Sequence, residues 1–390
     1  MLTLIKNGDV YKPEYIGKKD ILIAAGKIVA IAEVIDLACE QVEVQIIDAT
    51  GTFVFPGFID SHVHIIGGGG EGSYKTRTPE LSLSDATKAG VTTIIGVIGT
   101  DGVSRTMPDL IAKAKGLTEE GITCFVHTGS YQVPITTLTG SIQSDFLLID
   151  QIIGVGEIAI SDHRSSEPTQ EEIARIASSA RVGGMLSGKG GIVNVHVGDG
   201  KRKLDILTDI AEKSDIPITQ FIPTHINRNV ELLEAGVEYA KKGGRIDFTT
   251  SAIQVFGEDD ETKSSRALKK VLDAGVDIKL VTFTSDAQGS LPKFNEKGEF
   301  VGLKIGEIAS LFEELRDAIV EEKVPMEVAL QVITKNPAEA LKLEGKGQLD
   351  VGFDADLVLV DQESFTIKTV IAKGNLMVEN NEIRVKGTFE

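Results

Sequence analysis

Short runs of alternating apolar and polar residues open the chain and close it. At the N-terminus these are Leu2-Thr-Leu-Ile, Asp20-Ile-Leu-Ile-Ala, Lys27-Ile-Val-Ala-Ile-Ala and Val42-Glu-Val-Gln-Ile-Ile. Turn signals at Asn7-Gly8-Asp9 and Ala25-Gly26-Lys27 separate them, so they predict strands. The C-terminus reads alike: Asp356-Leu-Val-Leu-Val, Ile367-Lys-Thr-Val-Ile-Ala and Leu376-Met-Val-Glu are broken by Lys373-Gly374-Asn375 and Glu379-Asn-Asn. Neither end alone makes a core. Together, residues 1–56 and 344–390 predict one smaller β-sandwich domain beside a central domain of residues 57–343.

That central stretch alternates strands with helices. Strand-like runs lie at 58–60, 91–98, 123–127, 155–160, 191–196, 221–225, 246–250 and 280–285. Between them, Thr169 and Glu172 form a capping box that opens a helix through Ala180. Leu232, Leu233, Val237 and Ala240 make a helical stripe ending before Gly243-Gly244, and Ala267, Leu268, Val271 and Leu272 make another stopped at Gly275. Eight such alternations predict an α/β fold, a distorted (β/α)8 TIM barrel.

Chemistry in such barrels sits at the C-terminal ends of the strands. His62 and His64 follow the first strand; residues two apart in a strand share a face, so both imidazoles point to one spot. Gly67 to Gly70 come next, where backbone can pass close to a bound group. His196 ends the fifth strand, His225 the sixth and Asp286 the eighth. Four imidazoles, this carboxylate and a further bridging anion would hold two divalent ions. Zinc suits the nitrogen-rich set, with cobalt or manganese as alternatives.

Composition narrows the setting. A net charge of −18 argues against nucleic acid, and any anionic substrate must then meet locally placed arginines. No apolar run approaches the ~18 residues of a membrane span, and the N-terminus lacks a signal-peptide pattern. Two cysteines, Cys39 and Cys124, make no disulfide framework. These features predict a soluble, cytoplasmic protein.

Longer motifs then become specific: IGGGGEG (66–72), IGTD (98–101), TGSYQVP (128–134), ISDHRSS (160–166), THINRNV (224–230), TSDAQGS (284–290) and the terminal VKGTFE (385–390). With the histidine placements and the split β-domain, the chain resembles the isoaspartyl (β-aspartyl) dipeptidases of the amidohydrolase superfamily. The resemblance implies metal-dependent hydrolysis of the amide joining an aspartyl side-chain carboxyl to the next residue. It also implies a homo-oligomer, an octamer of paired subunits. One departure stands out. Better-known members bridge their metals with a carboxylated lysine where this chain has Glu157. No carboxylated lysine is therefore expected. Glu157 is shorter, so its strand must bulge inward, which Gly154-Val-Gly156 would permit.

A β-linked aspartyl dipeptide carries one ammonium and two carboxylates. Glu71 suits the ammonium, and Arg164 and Arg228, each just past a barrel strand, suit the carboxylates. The resemblance implies the same roles, adding contacts from Gly69, Thr100 and Ser290, and Tyr131 polarising the scissile carbonyl. Plainer readings stand beside these: Arg164 as an ion pair with Asp162, Thr100 as a helix cap, Tyr131 as packing. His163 reads as support for a ligand and His127 as buried in the third strand. The implied mechanism makes Asp286 the general base and then the general acid. The metal ligands alone leave open a cyclic-amide hydrolase of the dihydroorotase or hydantoinase kind, and a non-catalytic protein on the same scaffold.

Overall fold

The computed structural model describes residues 2–37, 43–251, 262–294 and 300–390; Cys39 and Val42 lie outside the described residues. The chain begins with β1 (Leu2–Tyr11), β2 (Tyr15–Ala24), β3 (Lys27–Ala32), β4 (Val44–Asp48) and β5 (Thr52–Pro56). Eight parallel strands follow: β6 (Phe58–Val63), β7 (Val91–Gly96), β8 (Thr123–Thr128), β9 (Ile152–Ile160), β10 (Ile192–Val197), β11 (Phe221–Thr224), β12 (Ile246–Thr249) and β13 (Val281–Thr284). A hairpin that the sequence pattern did not announce comes next, β14 (Ser290–Phe294) with β15 (Phe300–Ile305). The chain ends in β16 (Leu357–Asp361), β17 (Ile367–Ala372), β18 (Asn375–Glu379) and β19 (Glu382–Ile383).

Both termini join one nine-stranded sheet, because β16 pairs antiparallel with β5 from Leu357↔Pro56 to Asp361↔Thr52. Its β3 end folds back on the segment before β16. There Ile28 N–H donates to the Phe353 carbonyl at 3.0 Å, and Ala355 N–H to that of Gly26 at 2.8 Å. Ile5, Val10, Ile21 and Val54 thereby share a core with Leu357, Leu359 and Ile371. This is the expected sandwich. The expected turn at Asn7-Gly8-Asp9 is corrected: these residues lie inside β1, at a bulge between Ile5 and Gly8. Asn7 takes a φ of 63°, which its short polar side chain tolerates, and its N–H is held by Asp20 Oδ1 at 3.0 Å.

The eight central strands close into a barrel, but the ladder runs unbroken only from β6 to β11. At the two seams, buried carboxylates do the joining. Asp247 on β12 accepts the hydroxyls of Thr224, Thr282 and Thr284, each at 2.6 Å, so it spans β11, β12 and β13. Asp60 on β6 accepts Ser285 N–H at 3.2 Å and the Ser285 hydroxyl, linking β6 to the end of β13. That is the distortion of the barrel. Burial pushes Asp60 up to about 7 and Asp247 up to about 6, against the pull of these donors.

The capping box at Thr169 and Glu172 forms, but its helix runs Gln170–Ser187, beyond Ala180. Gly183 and Gly184 lie inside this helix as a close-packing surface, where a Cβ on Gly184 would stand 2.7 Å from the Gly191 Cα. The other two helical stripes fold as Val230–Lys241 and Ser264–Asp273. No helix among the described residues is long and apolar enough to cross a membrane.

The sheet and the barrel meet at a buried cation. Lys346 Nζ lies 2.6 Å from Asp356 Oδ2, 2.8 Å from Asp354 Oδ2 and 2.7 Å from Thr123 Oγ1 at the start of β8. Lys346 is 7% exposed, so removing its charge leaves the buried Asp356 without a cation, while Asp354 keeps Lys27 Nζ at 2.6 Å. Lys346→Met should therefore lower unfolding stability by about 3 kcal/mol or more in chemical denaturation. A loss under about 1 kcal/mol would show that this network holds nothing together.

Candidate metal centre and active site

Strand alternation brings His62 and His64 to one face, and both are buried. His62 Nδ1 faces Asn194 Oδ1 at 3.1 Å and His225 Nδ1 bonds the Thr249 hydroxyl. Protons on those Nδ1 atoms leave the two Nε2 lone pairs facing inward. His225 and Asp286 both take positive φ, 66° and 55°, where the backbone turns off its strand.

Glu157 stands at the middle. The β9–β10 ladder pairs Val193 with Val155 but Val195 with Ile158, so β9 carries one extra residue and bulges there. Gly156, at φ 143°, makes this approach possible; a Cβ on it would stand 2.6 Å from the Asn194 carbonyl oxygen. The shorter acid therefore does reach. Its Oε2 lies 3.3 Å from His62 Nε2, 3.3 Å from His196 Nδ1 and 3.8 Å from His225 Nε2, and its Oε1 lies 3.3 Å from His64 Nε2. Asp286 Oδ1 sits 3.0 Å from His64 Nε2 and 3.6 Å from His62 Nε2.

These residues suit metal ions. Donor atoms of His62, His64 and Asp286 lie within 4.8 Å of one another, as do those of His62, Glu157 and His225. His62 Nε2, His64 Nδ1, both Glu157 oxygens and Asp286 Oδ1 are buried without a hydrogen-bond partner, which is unfavourable for atoms this polar. The acids also draw positive charge. Burial opposes protonation of His62 and His64, yet Glu157 and Asp286 prevail and push them up to about 9 and about 10. Glu157 is held well below the usual carboxylate range despite its burial, because four imidazoles surround it. Divalent cations would supply that charge while leaving the imidazoles neutral as ligands.

Beside this centre lies a polar cluster built on Glu71. Its carboxylate accepts the Ser290 hydroxyl at 2.9 Å and that of Thr100 at 3.3 Å, and it lies 3.3 Å from Arg164 Nη1. Gly69 adjoins it; a Cβ there would meet the Ser290 Cβ at 3.3 Å. Tyr131 is buried, with its hydroxyl 2.8 Å from His196 Nδ1, so the tyrosine enters the site. Arg228 follows His225, and its buried Nε has no partner among the described residues. Thirteen expected site residues thus gather in one region.

Some expectations change. Thr100 caps no helix: Thr106 is the cap before Met107–Glu120, and Asp101 holds the intervening turn. Arg164 does pair with Asp162, through Nε at 3.0 Å and Nη2 at 2.7 Å, while still reaching Glu71. Asp162, not the exposed His163, supports His196, at 2.9 Å from its Nε2. His127 is buried on β8 as expected, and burial pushes it down to about 3. Asn194 and Arg105 went unforeseen. Asn194 was legible, lying two residues before His196 on the same strand face. Arg105 was not; it reaches back under the glycine floor to the carbonyls of Ile66 at 2.9 Å and Gly68 at 2.6 Å.

A sequence model described as the amidohydrolase family matches residues 53–377. The chain belongs to the amidohydrolase family. It is 48% identical to the β-aspartyl dipeptidase of Fervidobacterium islandicum AW-1, whose crystal structure was solved in complex with the β-Asp-Leu dipeptide. The two superpose with a TM-score of 0.91 over 98% of this chain and 99% of that one. This bears out the resemblance drawn from the motifs. The chain is 25% identical to a dihydroorotase of Lactobacillus johnsonii, over 93% of its own length and 90% of the relative's. A D-hydantoinase structure shares the fold at 19% identity, with a TM-score of 0.69 over 100% of this chain and 97% of that one.

As an amidohydrolase with this donor set, the chain should lose its grip on metal when the support behind a ligand goes. Asn194→Ala should weaken metal retention about 10- to 100-fold, measured by competition with a fluorescent chelator. Unchanged retention would mean that Asn194 does not orient His62.

Proposed function

We propose that this amidohydrolase is a metal-dependent dipeptidase that hydrolyses the β-linked isoaspartyl amide, releasing aspartate and an amino acid. The carrying observation is the charge set beside the metal centre: Glu71 bonded to Ser290 and Thr100 and 3.3 Å from Arg164, with Arg228, its buried Nε unpartnered, close enough to His225 to oppose its charge. It matches one ammonium and two carboxylates, and the 48% identity to a β-aspartyl dipeptidase supports it. A cyclic amide carries no ammonium for Glu71 to hold, which weighs against the dihydroorotase or hydantoinase reading.

Two divalent ions, zinc before cobalt or manganese, would be held by His62, His64, Glu157, His196, His225 and Asp286. When bound they polarise the amide carbonyl and make water a nucleophile near neutral pH. Glu71, with Gly69, Thr100 and Ser290 around it, holds the substrate ammonium, and Arg228 offers its free fork to a carboxylate. Asp286 accepts the proton of the attacking water and returns it to the leaving amine, so one carboxylate serves as base and then acid. Tyr131 donates its hydroxyl proton to the carbonyl oxygen as negative charge builds there. Burial and nearby carboxylates raise the Tyr131 hydroxyl well above 10, which keeps it a donor.

This reading places the reaction in the barrel, residues 57–343, braced by the sandwich of residues 1–56 and 344–390. It also places the protein in the cytoplasm as a homo-oligomer, an octamer in the pattern the resemblance implies. Burial pushes the Cys124 thiol up to about 12, so that cysteine is inert.

The purified protein should cleave β-Asp-Leu and leave α-Asp-Leu largely intact, and chelator should abolish the activity. Equal turnover of both dipeptides would make it a general dipeptidase. Asp286→Asn should cut kcat by about 10²- to 10⁴-fold with little change in substrate affinity. Substantial turnover by that variant would remove Asp286 as the base.

A further inference from the structure

We propose that Asp162 is a positioning residue that ties the substrate-facing Arg164 to the metal-facing His196, so that one carboxylate serves both halves of the site. The inference rests on the reading above in taking His196 as a metal ligand.

Asp162 follows Ser161, whose φ of 51° turns the chain inward just past β9. The side chain is buried and both of its oxygens are fully used. Oδ1 accepts Arg164 N–H at 2.7 Å and Arg164 Nε–H at 3.0 Å. Oδ2 accepts Arg164 Nη2–H at 2.7 Å and faces His196 Nε2 at 2.9 Å. An acid two residues before an arginine can take both its backbone N–H and its guanidinium edge, and the Asp-His-Arg spacing of 162–164 supplies that arrangement.

The consequence for His196 is specific. A carboxylate cannot donate, so the imidazole must place its proton on Nε2 and keep its lone pair on Nδ1. Nδ1 is the atom that faces Glu157 Oε2, at 3.3 Å. His62 and His225 use the opposite arrangement, with Nδ1 turned outward to Asn194 and Thr249 and Nε2 turned inward. Without Asp162, Nε2 would be left facing the Arg164 Nη2 donor, 3.4 Å away, which favours a lone pair on Nε2 and the proton on Nδ1. The Tyr131 hydroxyl, 2.8 Å from Nδ1, can donate to that atom or accept from it, so it does not fix the tautomer alone.

The consequence for Arg164 is as specific. Its Nε–Nη2 edge belongs to Asp162, so only the Nη1 end, 3.3 Å from Glu71, remains for a ligand. Arg164 therefore meets the substrate end-on, and Arg228 is the arginine with a fork to spare. Asp162 aims one cation at the substrate and one imidazole at the metals.

The test compares Asp162→Asn, Arg164→Met and His196→Asn for metal retention against a chelator and for KM with β-Asp-Leu. Asp162→Asn should lose metal about 10- to 100-fold more readily and also raise KM. Arg164→Met should raise KM while holding metal like the wild type, a split that a general loss of structure would not produce. His196→Asn should lose metal. If His196→Asn loses metal but Asp162→Asn keeps it, the inference fails and the reading of the site stands. If His196→Asn keeps all its metal, that reading fails and takes the inference with it. Should Asp162→Asn fold poorly, Asp162→Ser, which removes the carboxylate but leaves a small acceptor, is judged by the same two readouts.

Discussion

A carboxylate buried at the centre of a barrel must be answered by positive charge, and the rest of the site is arranged around that demand. Glu157 is 1% exposed, and its oxygens meet imidazoles from β6, the β6 end, β10 and the β11 end. No single element supplies the answer. It depends on the barrel closing, which brings the ends of distant strands together, and on one extra residue in β9, which swings the acid inward. Where the ladder lapses, Asp60 and Asp247 carry the closure through hydroxyl donors. The centre and the seams use the same resource, buried acids with committed partners.

The substrate side follows a related logic. The chain is strongly acidic overall, so cations such as Arg164 and Arg228 near the metal-centre histidines must be placed locally. Arg164 is fixed by Asp162 and Glu71, while Arg228 is left uncommitted among the described residues. On the proposed function, one immobilised cation and one available cation, with the Glu71 carboxylate, would answer a ligand with two anionic groups and a cationic one. The glycine floor, held from below by Arg105, lets Glu71 and Gly69 approach closely.

Much of this was legible in the sequence, for physical reasons that differ by element. Short strand-like runs alternating with helical segments announced the eight barrel strands, and the histidines fell at their ends because the C-terminal rim is where loops can differ without disturbing the core. The inward bulge at Glu157 followed from its short side chain and the glycine before it. Local signals misled where tertiary packing took the residue for another use. Asn7-Gly8 reads as a turn but serves as a bulge, and the helix read through Ala180 runs on to Ser187, with Gly184 packed closely on Gly191. The partners of Asp60 and Asp247 lie 225 and up to 37 residues away, and no local pattern reports them. Alternation carried past the end of β9 makes His163 read as a ligand's support, but the backbone has already turned at Ser161, and Asp162 takes that place.

The central claim is that Glu157, without a carboxylated lysine, joins four imidazoles and Asp286 into a centre for two ions. The most direct measurement is elemental analysis of the purified protein after excess metal is removed, beside the Glu157→Gln variant. Near two equivalents per chain in the wild type, falling toward one or none in the variant, is the result this account predicts. One equivalent or fewer in the wild type, unchanged in the variant, would contradict it.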